Sequence, residues 1–184
     1  MSRFNDGLVD GLDDVELPLA LRRYDCRNNR LAWMALHTDG FARSVEAARE
    51  RHGAERIGVF VGTSTSGILE AELAYRHRDP ATGALPPGFH YAETQNTWSV
   101  ADFTRQVLGL TGPAHAVSTA CSSSAKVFGT AARMMALGLI DAAVVGGVDT
   151  LCMTTLYGFN SLELVSPDIC RPWDAGRRGL SLGE

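Results

Sequence analysis

The sequence predicts an α/β fold with a largely buried sheet. Three observations carry the prediction. Short apolar runs alternate with segments of helical periodicity along the chain. Each run is bounded by glycine, by Gly-Pro or by polar residues. Hydrophobic residues make up 45% and charged residues 21% of 184, ordinary globular usage that excludes disordered and fibrous classes. Glycine, at 19 residues against roughly 7% in average proteins, points to frequent tight turns and close backbone approaches.

The elements follow in order. Residues 1–20 carry five acidic side chains and two glycines without periodicity and read as loop or poorly ordered chain. From Arg27 to Arg51, Leu31, Met34 and Ala35, then Phe41, Val45 and Ala48, recur at helical steps, with an interruption near Asp39-Gly40 and a stop at Gly53. Ile57 to Val61 reads as a buried strand, Gly62 to Gly67 as a turn, and Ile68 to about His77 as a helix. Asp79 to Gly88 is dense in breakers and reads as loop. Ser99-Val100-Ala101-Asp102 resembles a capping box opening a helix with Phe103 and Val107 on one face. A strand from His115 to Thr119, a helix from about Ser122 to Leu137 and a strand from Ala142 to Val145 complete the alternation.

Composition excludes several functions. Seventeen basic and 21 acidic residues give a net charge of −4, without the basic excess of a nucleic-acid binder. No apolar run reaches the roughly 18 residues of a membrane span, and the first residues lack a secretory pattern, so the expectation is a soluble cytoplasmic protein. Cys26, Cys121, Cys152 and Cys170 form no C-x-x-C pair and are treated as separate thiols, without a metal site or disulfide framework.

Gly62-Thr63-Ser64-Thr65-Ser66-Gly67 has the spacing of a phosphate-binding loop, but Ile68 and Leu69 replace the required Lys and Ser/Thr. A structural turn is the preferred reading. Around Cys121 a strand runs into a sharp turn, and the cysteine falls where the next helix begins. Unpaired N–H groups and the positive dipole end there stabilise a thiolate and an oxyanion. Nucleophile and buried core thiol both remain open on this local context. The helix behind it carries Val127, Phe128, Ala131, Met134 and Met135 on nearly every face, with only Lys126 and Arg133 as a polar stripe. Such a helix is expected in the middle of something larger than 184 residues can build. Gly146-Gly147 reads as a turn after a strand. The arginines of Arg171 to Gly179 read as solvated or acid-paired, and the five histidines as surface or satisfied core.

Taken together, the ordered motifs are recognisable. Gly109-Leu110-Thr111-Gly112-Pro113 and Ser118-Thr119-Ala120-Cys121-Ser122-Ser123-Ser124 resemble the β-ketoacyl-acyl-carrier-protein synthases of the thiolase-like superfamily. So do Gly138 to Gly147, Gly158-Phe159, Arg171-Pro172-Trp173-Asp174 and Arg178 to Glu184, with Arg27-Asn28-Asn29-Arg30 and Ile57 to Thr63 upstream. The resemblance implies a thiolase-like α-β-α-β-α sandwich of which residues 21–184 form an incomplete, N-terminal half. It implies Cys121 as nucleophile, taking an acyl group from an acyl-carrier-protein or coenzyme A thioester. Decarboxylated malonyl-carrier protein would then attack to give a 3-ketoacyl product. No cofactor is implied beyond the phosphopantetheine that carries the substrates.

The family's second half supplies two histidines, a lysine and a glycine-rich loop, and nothing in this sequence matches them. The expectation is therefore a chain with the nucleophile alone, inactive in full condensation by itself. Expected partners are acyl carrier protein and either a second copy, through the strand His115 to Thr119, or a complete synthase. The stretch Ser166 to Trp173, with Ser122-Ser123-Ser124, looks more like synthases of polyene pathways than housekeeping fatty-acid ones. Two other readings stay open: a non-catalytic synthase-like partner, and an acyl-binding remnant without turnover.

Overall fold

The computed structural model describes residues 7–184. Its sheet has three parallel strands, β1 (Ile57–Gly62), β2 (Ala114–Val117) and β3 (Ala142–Gly147), in the order β2-β1-β3. The helices are α1 (Arg27–Leu36), α2 (Phe41–His52), α3 (Ile68–Arg76), α4 (Ser99–Val107), α5 (Ser123–Ala136) and α6 (Met153–Ser161). No helix among the described residues is long and apolar enough to cross a membrane.

Every residue of β1 is buried, as expected of a central parallel strand with both faces covered. Its side chains alternate between two cores. Ile57, Val59 and Val61 join Ala32, Leu36, Val45, Val100, Phe103 and Val144, beneath α1, α2 and α4. Phe60 points the other way and packs with Val127, Ala131 and Ile140 beneath α5. The period of two along the strand thus assigns α5 its own face of the sheet.

The interruption near Asp39-Gly40 separates α1 from α2, where Gly40 takes φ 74°. The capping box at Ser99 does not form. Trp98 is the N-cap residue, without a side-chain cap, and Ser99 is already helical and fully buried. Its hydroxyl instead donates to the Glu93 carbonyl and accepts from Asn29 Nδ2 at 3.1 Å. Asp102 is diverted to Arg105 Nη2 at 2.5 Å and to the Tyr24 hydroxyl. Long-range partners outcompete the local cap because the whole first turn of α4 is core.

β2 is shorter than expected: it ends at Val117, and Ser118 and Thr119 leave the sheet. β3 is longer, running through Gly147 rather than stopping at Val145. Of the N-terminal segment, residues 1–6 lie outside the described residues. Residues 7–18 follow an irregular course with a short 3-10 turn at Leu12–Asp14, a second 3-10 segment spans Leu19–Tyr24, and Leu12 and Leu17 are buried. Arg27 ties this segment to the other end of the chain, contacting Asp13 at 2.5 Å and Glu184 at 2.9 Å. The Glu184 side chain is fully buried.

α5 is covered on one side only, as expected of an apolar helix that a chain of this size cannot enclose. Only Ser123, Val127 and Ala131 are buried, and Phe128, Met135 and the following Leu137 and Leu139 are exposed. One stripe faces the sheet and the rest of its apolar surface is uncovered within this chain.

The first turn of α5 lies on the register pair Gly62 and Gly147. A Cβ at Gly62 would stand 2.5 Å from Ser124 N and 2.6 Å from Ser123 C, both main chain. We therefore expect Gly62→Ala to push α5 off the sheet and to cost about 1–3 kcal/mol of unfolding free energy, measured by urea denaturation. Gly88→Ala, at a loop position with no neighbour within 4 Å and no left-handed backbone, is the control for an open loop glycine.

Candidate active site

Cys121 stands between β2 and α5 on a turn held from both sides. Ala120 has φ 52°, a left-handed conformation that costs an L-residue roughly 1–2 kcal/mol. Its carbonyl accepts three hydrogen bonds: from Ser123 N at 3.0 Å, Ser123 Oγ at 2.6 Å and Ser64 Oγ at 3.0 Å. At about 1 kcal/mol net each, these outweigh the strain. Ser123 is buried, and its hydroxyl also accepts from Thr119 N at 2.9 Å, closing the turn.

The thiol itself is free and exposed. It lies just ahead of the helix, whose start falls one residue later than the sequence suggests. Ser122 is the N-cap residue and Ser123 the first helical one, so Cys121 lies two residues earlier. The setting expected from sequence, a sharp turn before a helix with small neighbours, is present. Among the described residues the main-chain N–H of Cys121 makes no hydrogen bond.

The Gly62 to Gly67 loop is a structural turn, and its ligand is a side chain. Asp149 Oδ1 accepts from Ser64 N at 2.6 Å, Thr65 N at 2.8 Å, Thr65 Oγ1 at 3.0 Å and Thr63 Oγ1 at 3.1 Å. Amides that would cradle a phosphate are therefore committed to a carboxylate of this chain. Sequence reasoning passed over Asp149. The signal for it was the Gly-Gly pair at the end of β3, which runs beside β1 and delivers position 149 to the mouth of the loop.

The histidines do not gather at the thiol. His37 Nδ1 and His77 Nδ1 contact carbonyls of their own helices, Trp33 O at 2.7 Å and Leu73 O at 2.8 Å. The His115 ring meets Phe60 edge-on at 5.7 Å. Among the described residues none bonds to Cys121. A cavity of about 420 Å³ beside α3 is lined by Asp25, Glu70, His77, Phe89 and His90, and Cys121 is not part of it. The Arg171 to Gly179 loop is exposed, with Arg178 3.8 Å from Asp168.

Residues 26–184 match the family model of the β-ketoacyl synthase N-terminal domain. The chain belongs to the β-ketoacyl synthase family. Among its curated relatives, nodulation protein E of Rhizobium meliloti is 33% identical over 130 residues, covering 70% of this chain and 32% of that protein. A 3-oxoacyl-[acyl-carrier-protein] synthase 2 of Rhizobium meliloti (strain 1021) is 32% identical over 136 residues, covering 69% and 32%. The chain thus spans about a third of the length of these relatives. Among solved structures, a ketosynthase (ApeO) in complex with its chain length factor (ApeC) from Xenorhabdus doucetiae superposes with TM-score 0.76 at 37% identity, over 94% of this chain and 42% of that one. The ishigamide ketosynthase/chain length factor superposes with TM-score 0.70 at 22% identity, over 97% and 46%, a likeness of fold. The thiolase-like α/β architecture expected from the motifs is therefore the fold of this chain, present as its N-terminal part.

The four thiols of this family member differ sharply in environment. Cys26 and Cys152 are buried, Cys121 and Cys170 exposed. Burial, reinforced by the Glu70 charge, pushes the Cys26 thiol up to about 12. Burial likewise raises the Tyr24 phenol, with the Asp102 hydrogen bond and charge adding to it. In native protein at neutral pH, iodoacetamide should modify Cys121 and Cys170 and spare Cys26 and Cys152, as read by peptide mass spectrometry. Because the folded chain holds the Cys26 proton after the unfolded chain has released it, stability should fall as pH rises above about 9. Cys26→Ala should flatten that decline in urea titrations across alkaline pH, and an unchanged slope would disprove the assignment.

Proposed function

We propose that this domain carries the acyl-accepting half of a decarboxylative Claisen condensation, with Cys121 as the nucleophile. The observation that carries the reading is an exposed thiol on a turn locked by three hydrogen bonds to Ala120, immediately before α5. The family membership supports the reaction class.

The thiolate of Cys121 attacks the carbonyl carbon of an acyl thioester borne on the phosphopantetheine of acyl carrier protein. A carbon–sulfur bond forms, the carbonyl π pair moves to oxygen, and the Cys121 main-chain N–H donates to that oxyanion. Collapse expels the phosphopantetheine thiolate, which takes up the proton that Cys121 gave up. Malonyl-carrier protein then loses carbon dioxide, its carbanion attacks the acyl-enzyme carbonyl, and the 3-ketoacyl product leaves with Cys121 restored as thiolate. No metal or organic cofactor enters this scheme.

The decarboxylating groups are not at Cys121 among the described residues. In this reading they come from polypeptide that covers the exposed apolar face of α5, where Phe128 and Met135 stand free. The solved ketosynthase relative is in complex with a chain length factor, which supports a subunit of the same fold as partner. Pairing through the open edge of β2 is the other arrangement compatible with the sheet order. The pathway is assigned as fatty-acid or polyene/polyketide-type biosynthesis. A synthase-like partner without turnover needs no thiol at position 121, so the presence of Cys121 favours the enzymatic reading.

The test is acyl transfer from octanoyl-acyl carrier protein to the chain, followed by peptide mass spectrometry. The expected result is an octanoyl adduct on Cys121, absent in Cys121→Ala and slowed more than about 100-fold in Cys121→Ser. Equal acylation of the exposed Cys170, or no adduct at all, would overturn the proposal.

A further inference from the structure

Two segments far apart in sequence meet at one carboxylate oxygen and at one hydroxyl. Asp149 Oδ1, just past β3, takes the main-chain N–H of Ser64 at 2.6 Å. The hydroxyl of the same Ser64 donates to the Ala120 carbonyl at 3.0 Å. Ala120 is the residue before the thiol and holds the left-handed φ on which the turn depends. One residue therefore links the acid at the end of β3 to the main chain that aims Cys121.

The same oxygen also fixes the rest of the loop. Thr63 Oγ1, Thr65 N and Thr65 Oγ1 all donate to it, and Thr63 and Thr65 are buried. Thr65 Oγ1 in turn accepts from Thr150 N at 3.0 Å, so the loop and the residue after the acid grip one another. Of this cluster only Ser64 reaches across to Ala120.

We infer that Asp149 is a positioning residue for Cys121, acting through Ser64. It touches neither the sulfur nor an incoming acyl group. Its effect is to fix the Ser64 hydroxyl, and thereby the orientation of the Ala120–Cys121 peptide whose N–H faces a developing oxyanion. A preorganised donor is worth most when it is already aimed, and small misplacements are costly to reactions that use it. Alkylation of a thiol by iodoacetamide forms no oxyanion and is indifferent to that donor. The part of the inference that concerns catalysis rests on the acyl-transfer reading; the mechanical link does not.

The experiment compares Asp149→Ala, Asp149→Asn and Ser64→Ala in the full chain. Amide hydrogen exchange of the 118–124 segment reads the turn, and α4 serves as the folding control. Asp149→Ala and Ser64→Ala should each speed exchange of 118–124, leave α4 at its native rate, and in combination do no more than Asp149→Ala alone. Octanoyl transfer to Cys121 should fall about tenfold in both, with iodoacetamide alkylation of Cys121 changed less than about twofold. Asp149→Asn keeps an accepting oxygen and should recover most of the loss. Native exchange of 118–124 in Asp149→Ala, or equal losses in acylation and alkylation, would overturn the inference. If Asp149→Ala loses protection in α4 it has unfolded, and Ser64→Ala decides: native exchange of 118–124 there overturns the link. If the unaltered chain accepts no acyl group, the proposed function fails while the exchange result still decides the link.

Discussion

The first turn of α5 rests on the main chain of two neighbouring strands, and this contact orders much of what surrounds it. Gly62 and Gly147 are paired across β1 and β3, and neither offers a side chain to hold the helix away. A Cβ at Gly147 would fall 1.8 Å from Ser124 Oγ, while at Gly62 it would meet helix backbone that cannot swing aside. Ser122 and Ser123 are therefore set by the sheet rather than by a loop. The turn that carries Cys121 inherits its position from the most buried part of the molecule, where β1 has no exposed residue.

A second constraint acts from the side. Loops that follow a strand and open a helix present several N–H groups to the same point, and those groups must be satisfied. Here the charge they receive is internal. Asp149 takes two main-chain and two hydroxyl donors on one oxygen, so the loop is closed without a ligand. Such charge-assisted bonds are roughly twice as strong as neutral ones. A loop that in other folds adapts to phosphate becomes a fixed strut between β3 and the Cys121 turn.

Local elements were legible in the sequence because their determinants are local. The apolar run from Ile57 to Val61, the break at Gly40 and the helix from Ile68 all appear close to where pattern and punctuation put them. Cys121 was legible as a candidate through its small neighbours and its place before a helix. What failed depended on distant partners. Ser99 and Asp102 have the spacing of a cap, but Asn29, Glu93 and Tyr24 claim their side chains. Asp149 escaped notice because its partners lie 84 to 86 positions away. The uneven burial of α5 was illegible for a related reason: apolar composition marks which faces need cover, while only coordinates show which face has received it.

A nucleophile on a protein surface faces opposed demands, since exposure admits substrate and exposure also frees the chain to move. A turn made only of local hydrogen bonds would satisfy the first demand and lose the second, because its main chain fluctuates with the solvent. This chain separates the two. The sulfur of Cys121 is exposed, while each residue that sets its direction is anchored below the surface: Ser123 is buried, and Ser64 is tied to Asp149. Strain at Ala120 fits the same logic, for a left-handed residue persists only where its surroundings over-determine it. Three bonds converging on one carbonyl provide that over-determination. The rigidity of the site is thus a property of three strands and a carboxylate, expressed at a single exposed thiol.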